Sequence, residues 1–474
     1  MSADWPIYLA GRWEKSPEPL PVTSPYDGSL VGTTYLASAE QLEEATAAAE
    51  KAFKTTSRLA SYEREEVLST ISRGITERRE ELARLMAQEA GKPVRDAAVE
   101  VTRAANTFKV AAEEAKRIGG EVIPIDWLPL AKGRMGVTRR FPIGPVAAIS
   151  PFNFPLNLAA HKIAPAIAVG NPVVVKPPSD APLVLLTVAQ IVHESGLPAG
   201  GFSVLPMTRA LGDRLVSDDR FKLLTFTGSS PVGWGMKEQA GKKRVVLELG
   251  GNGGVIVDRD ANLDYAVQRV VAGAFSYAGQ VCISVQRVFI HEEVYDAFTK
   301  GLVEAVKRLK VGDPVDPETD VGPVIDDAAA ERIQAWIEEA VQAGGRVLVG
   351  GSRQGRLFEP TVLAGVSTAC KICSFEAFAP IVNVYSFHDF DEAVARVNES
   401  AYGLQAGVFT GSLEHALRAF EELEVGGVMI NDVSTFRIDH MPFGGTKDSG
   451  FGREGVKYAI EDQTEIRLMV FNRV

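Results

Sequence analysis

The sequence predicts an α/β protein: two units of helix-covered parallel sheet and a separate β arm. Three observations carry that expectation. At 474 residues the chain is too long for one core, so two or three domains are expected. From residue 141 onward, short β-branched runs alternate with stretches of helical periodicity, the pattern of a parallel sheet with helices on its faces. Two β-prone stretches, 119–140 and 459–474, fall outside that alternation.

Residues 1–36 mix turns with short strands, marked by Pro17, Pro19, Pro21, Pro25 and Asp27-Gly28. Residues 38–118 are rich in Ala, Glu, Arg and Leu at helical spacing. Ser38 with Glu40 and Gln41 suits a helix start. Gly91-Lys92-Pro93 breaks this region into two or more helices. Residues 119–140 read as an extended arm or hairpin, a device soluble proteins use for subunit contact. Strands are then expected at 145–150, 172–176, 202–205, 222–227 and 244–249. Helices are expected at about 156–169 and 182–194, and after 228–233, where Pro231 fits a first helical turn. A helical stretch at 262–278 follows. The remainder repeats the alternation, with helices at 292–309, 327–343, 391–398 and 414–422. Its strands are at 254–257, 286–290, 346–349, 381–386, 406–409 and 427–430. The expected division is a cofactor-binding domain of 1–119 with 141–247, a catalytic domain of 248–445, and an arm and tail of 120–140 with 446–474. The tail is free to pair with the arm.

The net charge of −11 argues against nonspecific nucleic-acid binding, which needs a basic face. No signal peptide is visible at the start, and no apolar run of membrane-spanning length exists. Three cysteines cannot all pair, so reduced thiols in the cytoplasm are expected. Cys370 and Cys373 form one C-x-x-C, but no second pair or paired histidines accompany it, so no metal is expected.

Chemistry concentrates between 248 and 282. Glu248-Leu-Gly-Gly-Asn252 ends a β-branched run in a glycine turn, and Gly279-Gln-Val-Cys282 follows the 262–278 helix. A thiol with a nearby carboxylate suggests covalent catalysis: the thiolate attacks, and the carboxylate activates a water that releases the product. Taken alone, Cys282 reads first as a small core residue, and the rest of the chain has to overturn that. Other polar residues fall at strand ends. Asn153 precedes a helix and is either a turn residue or an amide donor to an oxyanion. Lys176 emerges from an apolar strand, and Gly228-Ser229 sits where free helix amides can hold a pyrophosphate.

Seven ordered motifs together resemble the aldehyde dehydrogenase superfamily over nearly the whole chain. They are Pro151-Phe-Asn-Phe-Pro155, Lys176-Pro-Pro-Ser179, Phe226-Thr-Gly-Ser229, Glu248-Leu-Gly-Gly-Asn252, Gly279-Gln-Val-Cys282, Glu376-Ala-Phe378-Ala-Pro380 and Pro442-Phe-Gly-Gly with Lys447-Asp-Ser-Gly450. The resemblance implies a Rossmann-type cofactor domain, a second α/β catalytic domain, a β oligomerisation arm, and a homodimer or homotetramer. It implies that Cys282 forms a thiohemiacetal with an aldehyde. Asn153 and the Cys282 amide would form the oxyanion hole, hydride would pass to a nicotinamide, and Glu248 would activate the water that hydrolyses the thioester. Lys176 would contact the adenosine ribose and Ser229 the pyrophosphate. Glu376 and Phe378 would contact the nicotinamide riboside, and Pro151, Phe152, Gly228, Leu249 and Gly250 would complete the cofactor site. Lys162 and Glu454 match positions proposed for proton relay. NAD-specific members often carry Glu where this chain has Ser179, so NADP or dual use of NADP and NAD is expected.

Arg103 and Arg437 resemble anion-binding arginines of non-phosphorylating glyceraldehyde-3-phosphate dehydrogenases, although Val281 stands where that group has a basic residue. Phe436-Arg437-Ile-Asp-His-Met-Pro442 also resembles relatives acting on lactaldehyde and semialdehydes. Asn157 and His161 follow Asn153 at helical spacing, toward the substrate tunnel. A small aldehyde bearing a carboxylate or phosphate is therefore expected as substrate. Two alternatives stand beside this reading. CoA-acylating relatives usually lack the equivalent of Glu248, and a catalytically silent relative would not need Cys282, Glu248 and Asn153 together.

Overall fold

The computed structural model describes residues 3–473. The helical N-terminal region resolves into α1 (Ala39–Thr56), α2 (Ser61–Glu77), α3 (Arg79–Ala90) and α4 (Val94–Ala115). Ser38 and Gln41 form a reciprocal capping box on α1, as the sequence predicts. Gly91, at φ 66°, ends α3.

The first large sheet has eight strands. Its centre is parallel, in the order Arg244–Glu248, Leu223–Thr227, Val146–Ile149, Val173–Lys176, Phe202–Val204. Antiparallel strands flank it, Gly450–Phe451 on one side and Ile7–Leu9 on the other. Alternation explains why its strands are apolar throughout. Val173 and Val175 face one buried layer and Val174 the other. A sheet covered on both faces has no polar side to show. Helices α2, α3, α4, α5 (Asn157–Val169) and α6 (Leu183–Glu194) fill the first layer. Helices α1 and α7 (Arg209–Ser217) fill the second, with α8 (Ser230–Gln239) against it.

The second sheet has seven strands, in the order Arg346–Val349, Thr361–Ala364, Ile381–Phe387, Val285–His291, Gly253–Val257, Gln405–Phe409, Gly427–Ile430. All pairs are parallel except the one made by Arg346–Val349. The arm is a third sheet: Arg134–Pro142 pairs antiparallel with the tail strand Thr464–Asn472 along its length.

Four local expectations need correction. Helix α9 spans Leu263–Phe275, and the chain leaves it before 278 because Tyr277 and Ala278 adopt left-handed backbone. The helix expected at 292–309 is regular only over Tyr295–Val306. The start of the tail is helical, Val456–Asp462, because Val456 and Ile460 pack into the first core. Helix α7 and strand Thr361–Ala364 were not foreseen. Among the described residues no helix is long and apolar enough to cross a membrane.

Candidate active site

The parallel strands of the first sheet end in register. Ile149 stands opposite Phe226 on one side and Lys176 on the other, and Thr227 stands opposite Glu248. The turns carrying Asn153, Ser179, Ser229 and Gly250 therefore open along one edge, where a doubly wound sheet leaves a crevice.

The thiol arrives from the second unit. After the left-handed turn at Tyr277 and Ala278 the chain runs through Gly279 to Cys282 and then into strand Val285–His291. A side chain at Gly251 would lie 2.2 Å from the Cys282 carbonyl oxygen. Only glycine lets the segment after Glu248 touch the thiol's segment backbone to backbone. A side chain at Gly250 would likewise meet Glu376 Oε2 at 2.5 Å.

A cavity of about 640 Å³ lies between the two units. Ten predicted residues line it: Pro151, Phe152, Asn153, Gly228, Ser229, Leu249, Gly250, Cys282, Glu376 and Phe378. Lys176 and Ser179 stand at the end of the neighbouring strand, outside that lining. Arg332 and Trp336 also wall the cavity, with the guanidinium 4.7 Å from the indole centroid. The sequence offers no sign of this beyond their spacing of one helical turn. Ser229 is the N-cap of α8 and makes no side-chain capping bond, so first-turn amides open on the cavity.

Asn153 is buried, and its Nδ2 donates to the Gln280 carbonyl at 2.9 Å. That bond fixes which end of the amide faces the thiol loop and leaves its second N–H free. Burial pushes the Cys282 thiol up to about 12, with Glu376 adding to the effect and Arg437 opposing it. The resting thiol is therefore neutral, where chemistry at sulfur had suggested an activated thiolate. Burial likewise pushes Glu376 up to about 7.

Glu248 is 2% exposed, and neither carboxylate oxygen meets a protein donor among the described residues. Burial raises its pKa well above the usual carboxylate range, and the nearby Glu454 anion raises it further. Glu454 behaves oppositely. Burial would raise it, but Lys162 Nζ and Arg437 Nη2 each donate to it at 3.0 Å and hold it ionised. Of these two facing acids the proton resides on Glu248. Lys162 also donates to Thr227 Oγ1 at 2.7 Å and Thr225 Oγ1 at 3.2 Å.

A second cavity, of about 560 Å³, is lined by Lys92, Arg103, Phe154, Arg269, Tyr277, Val281 and Thr435 among others. Cys282 borders the first cavity and its neighbour Val281 the second. Of the four predicted substrate residues, Arg103 lines this cavity and Asn157, His161 and Arg437 do not. Asp439 gathers three of the four. It accepts Arg103 Nε at 3.2 Å and Nη2 at 2.8 Å, takes Asn157 Nδ2 at 2.9 Å, and pairs with His161 Nε2 at 3.0 Å. Arg437 is committed to Glu454 and lies 3.6 Å from the Phe443 ring centroid. Cys370 and Cys373 are buried free thiols, and Cys373 Sγ shares a hydrogen bond of 2.8 Å with the Tyr385 hydroxyl.

The profile described as "Aldehyde dehydrogenase family" matches residues 13–469. A 3-sulfolactaldehyde dehydrogenase from Priestia aryabhattai is 43% identical over 467 residues, 98% of each chain. A lactaldehyde dehydrogenase from Methanocaldococcus jannaschii is 42% identical over 98% of this chain and 100% of its own. Among solved structures, an aldehyde dehydrogenase from Physcomitrella patens in complex with its reaction product succinate superposes with a TM-score of 0.98. It is 46% identical and covers 100% of this chain and 99% of that one. A glyceraldehyde-3-phosphate dehydrogenase from Methanocaldococcus jannaschii, complexed with NADP, gives 0.92 at 42% identity, covering 96% and 99%.

Proposed function

The chain belongs to the aldehyde dehydrogenase family, and from that premise we propose that it oxidises a small anionic aldehyde to the carboxylic acid with NADP or NAD. Cys282 is the nucleophile and Glu248 the base. The observation that carries the reading is the meeting of Cys282 and Asn153 in one cavity that Gly250 also lines, with Gly251 packed against the Cys282 backbone.

The cavity suits a dinucleotide. The uncapped amides of α8 with Ser229 would hold the pyrophosphate. Leu249, Gly250, Pro151 and Phe152 would wall the nicotinamide, Glu376 and Phe378 its ribose, and Lys176 the adenosine ribose. A bound nicotinamide cofactor supplies the hydride acceptor that converts a thiohemiacetal on Cys282 to a thioester. Ser179 places no charge against a 2′-phosphate, which favours NADP, and the relative from Methanocaldococcus jannaschii was solved with NADP.

Each protein group has a task. Cys282 sulfur adds to the aldehyde carbon after losing its proton. The carbonyl oxygen gains charge and takes the free N–H of Asn153 and the Cys282 amide, a contribution on the order of 3 kcal/mol per donor. Water then attacks the thioester carbon, the carbon–sulfur bond breaks, and the carboxylic acid leaves while the sulfur returns to Cys282. Glu248, once it has given up the proton it holds at rest, accepts the water's proton through oxygens that no protein donor among the described residues occupies, and its raised pKa makes the carboxylate a stronger base than an ordinary glutamate.

The anionic substrate rests on Arg103, which lines the second cavity. It is supported by relatives named for 3-sulfolactaldehyde and glyceraldehyde-3-phosphate, and by the succinate product in the Physcomitrella patens enzyme. The tail strand exposes Ile466, Leu468, Met469, Val470 and Phe471, an apolar run that a second copy of the chain would cover. The test is a panel of small aldehydes, each assayed with both cofactors. Preference for the charged member of each matched pair, with kcat/KM for NADP at least equal to that for NAD, supports the reading. Oxidation of none, or preference for neutral aldehydes, contradicts it.

A further inference from the structure

Two segments meet around the attacking sulfur: 151–155, which carries Asn153, and 276–282, which carries the thiol. One bond joins them directly, Asn153 Nδ2 to the Gln280 carbonyl. A single hydrogen bond between two loops does not fix their geometry, so each must be held from elsewhere. Both are held by the same buried ion pair. Lys92 has no exposed surface, and its ammonium pairs with Glu100. The ammonium lies 3.6 Å from the ring centroid of Phe154, the residue after Asn153. It lies 4.6 Å from that of Tyr277, three residues before Gln280.

Glu100 continues the grip. Its Oε1 accepts the backbone N–H groups of Leu156 and Asn157, each at 3.0 Å, at the start of α5. One turn earlier on α4, Asp96 accepts Ser276 Oγ at 2.9 Å and the Tyr277 amide at 3.2 Å. One face of α4 therefore holds the oxyanion segment and the thiol segment together. A buried ion pair is a poor choice for stability alone, because apolar replacements often serve as well. Its strict directional demand suits a geometry that must not drift.

We propose that Lys92 and Glu100 are positioning residues for the oxyanion hole, acting through Asn153. The proposal rests on the roles given above to Cys282 and Asn153. The probe is p-nitrophenyl acetate, whose acylation of Cys282 would draw on the oxyanion hole and needs neither aldehyde nor cofactor. The reference is iodoacetamide, which alkylates the same thiol without forming an oxyanion.

In Lys92→Met, acylation is expected to fall about 10- to 100-fold, since loss of a whole donor costs roughly 100- to 1,000-fold, while alkylation stays within about 2-fold. In an Asn153→Ala background the same substitution should cost less than about 3-fold, because residues acting through one another are not additive. Glu100→Gln keeps an acceptor oxygen for Leu156 and Asn157 but loses the countercharge. It should slow acylation selectively too, and it carries the test if Lys92→Met does not fold. Unchanged acylation, acylation and alkylation falling together, or losses that multiply with Asn153→Ala would overturn the proposal. A parent enzyme with no acylation burst would instead overturn the reading of Cys282.

Discussion

Replacing Arg103 by Met tests how the substrate's charge is recognised. Two of the guanidinium's donors are taken by Asp439, Nε at 3.2 Å and Nη2 at 2.8 Å. Nη1 makes no hydrogen bond among the described residues, and Arg103 lines the second cavity, so the Nη1 N–H groups are the ones left for an anion. A hydrogen bond to a charged group contributes about 1.5–3 kcal/mol, so losing it should lower kcat/KM for an anionic aldehyde roughly 10- to 150-fold. Stability should change less. Asp439 keeps Asn157 and His161 as partners, and a side chain one quarter exposed loses part of its ion-pair energy to solvent. About 1–2 kcal/mol is expected for the two bonds to Asp439. The assay compares succinic semialdehyde with butanal, two four-carbon aldehydes differing by a carboxylate. If Arg103→Met lowers both values equally, or leaves their ratio at the parent's value, the anion does not bind Arg103.

Three further outcomes follow from the electrostatics. Glu454→Gln removes the anion that keeps a proton on Glu248, so the pH at half-maximal thioester hydrolysis should move down; an upward move would be inconsistent with facing acids. Iodoacetamide alkylation of cofactor-free protein should rise about tenfold per pH unit through pH 9 without levelling, because the thiol is held up to about 12. A plateau below pH 8 would mean an activated thiolate. Ser179→Glu should lower kcat/KM for NADP by about 10- to 100-fold while leaving NAD nearly unchanged, since like charges brought together cost several kcal/mol. Equal loss with both cofactors would remove Ser179 from the specificity argument.

What was legible in the sequence was local or carried by whole motifs. The run Val173-Val174-Val175 announced a buried parallel strand, and the structure divides it between two apolar layers. β-propensity alone marks the arm and the tail as free to pair, and they do pair. Helix α7 was missed because it is nine residues long and opens just after Pro206, where a short apolar pattern (Leu211, Leu215, Val216) is ambiguous. The left-handed turn at Tyr277 and Ala278 had no signal, since neither residue type favours positive φ and the helical spacing ran on through them. Asp439 lies within Phe436–Pro442, yet its role depends on Arg103, 336 positions away in sequence. Contacts at that separation are products of topology, and no window of residues contains them. The same holds for Lys92, which reads as part of a helix break until the fold buries it against Glu100.

The claim on which the chemistry depends is that a thioester forms on Cys282 and is cleaved with Glu248 as base. Glu248→Gln separates the two halves of the cycle. The side chain is nearly isosteric, and neither of its oxygens bonds to the protein, so folding should be little affected. Intact-protein mass spectrometry after rapid mixing with aldehyde and cofactor is the direct measurement. The expected result is a single acyl adduct on Cys282, formed with a stoichiometric burst of reduced cofactor while steady turnover falls about 100- to 10,000-fold. Undiminished turnover with no adduct would contradict it, as would an adduct mapped to Cys370 or Cys373.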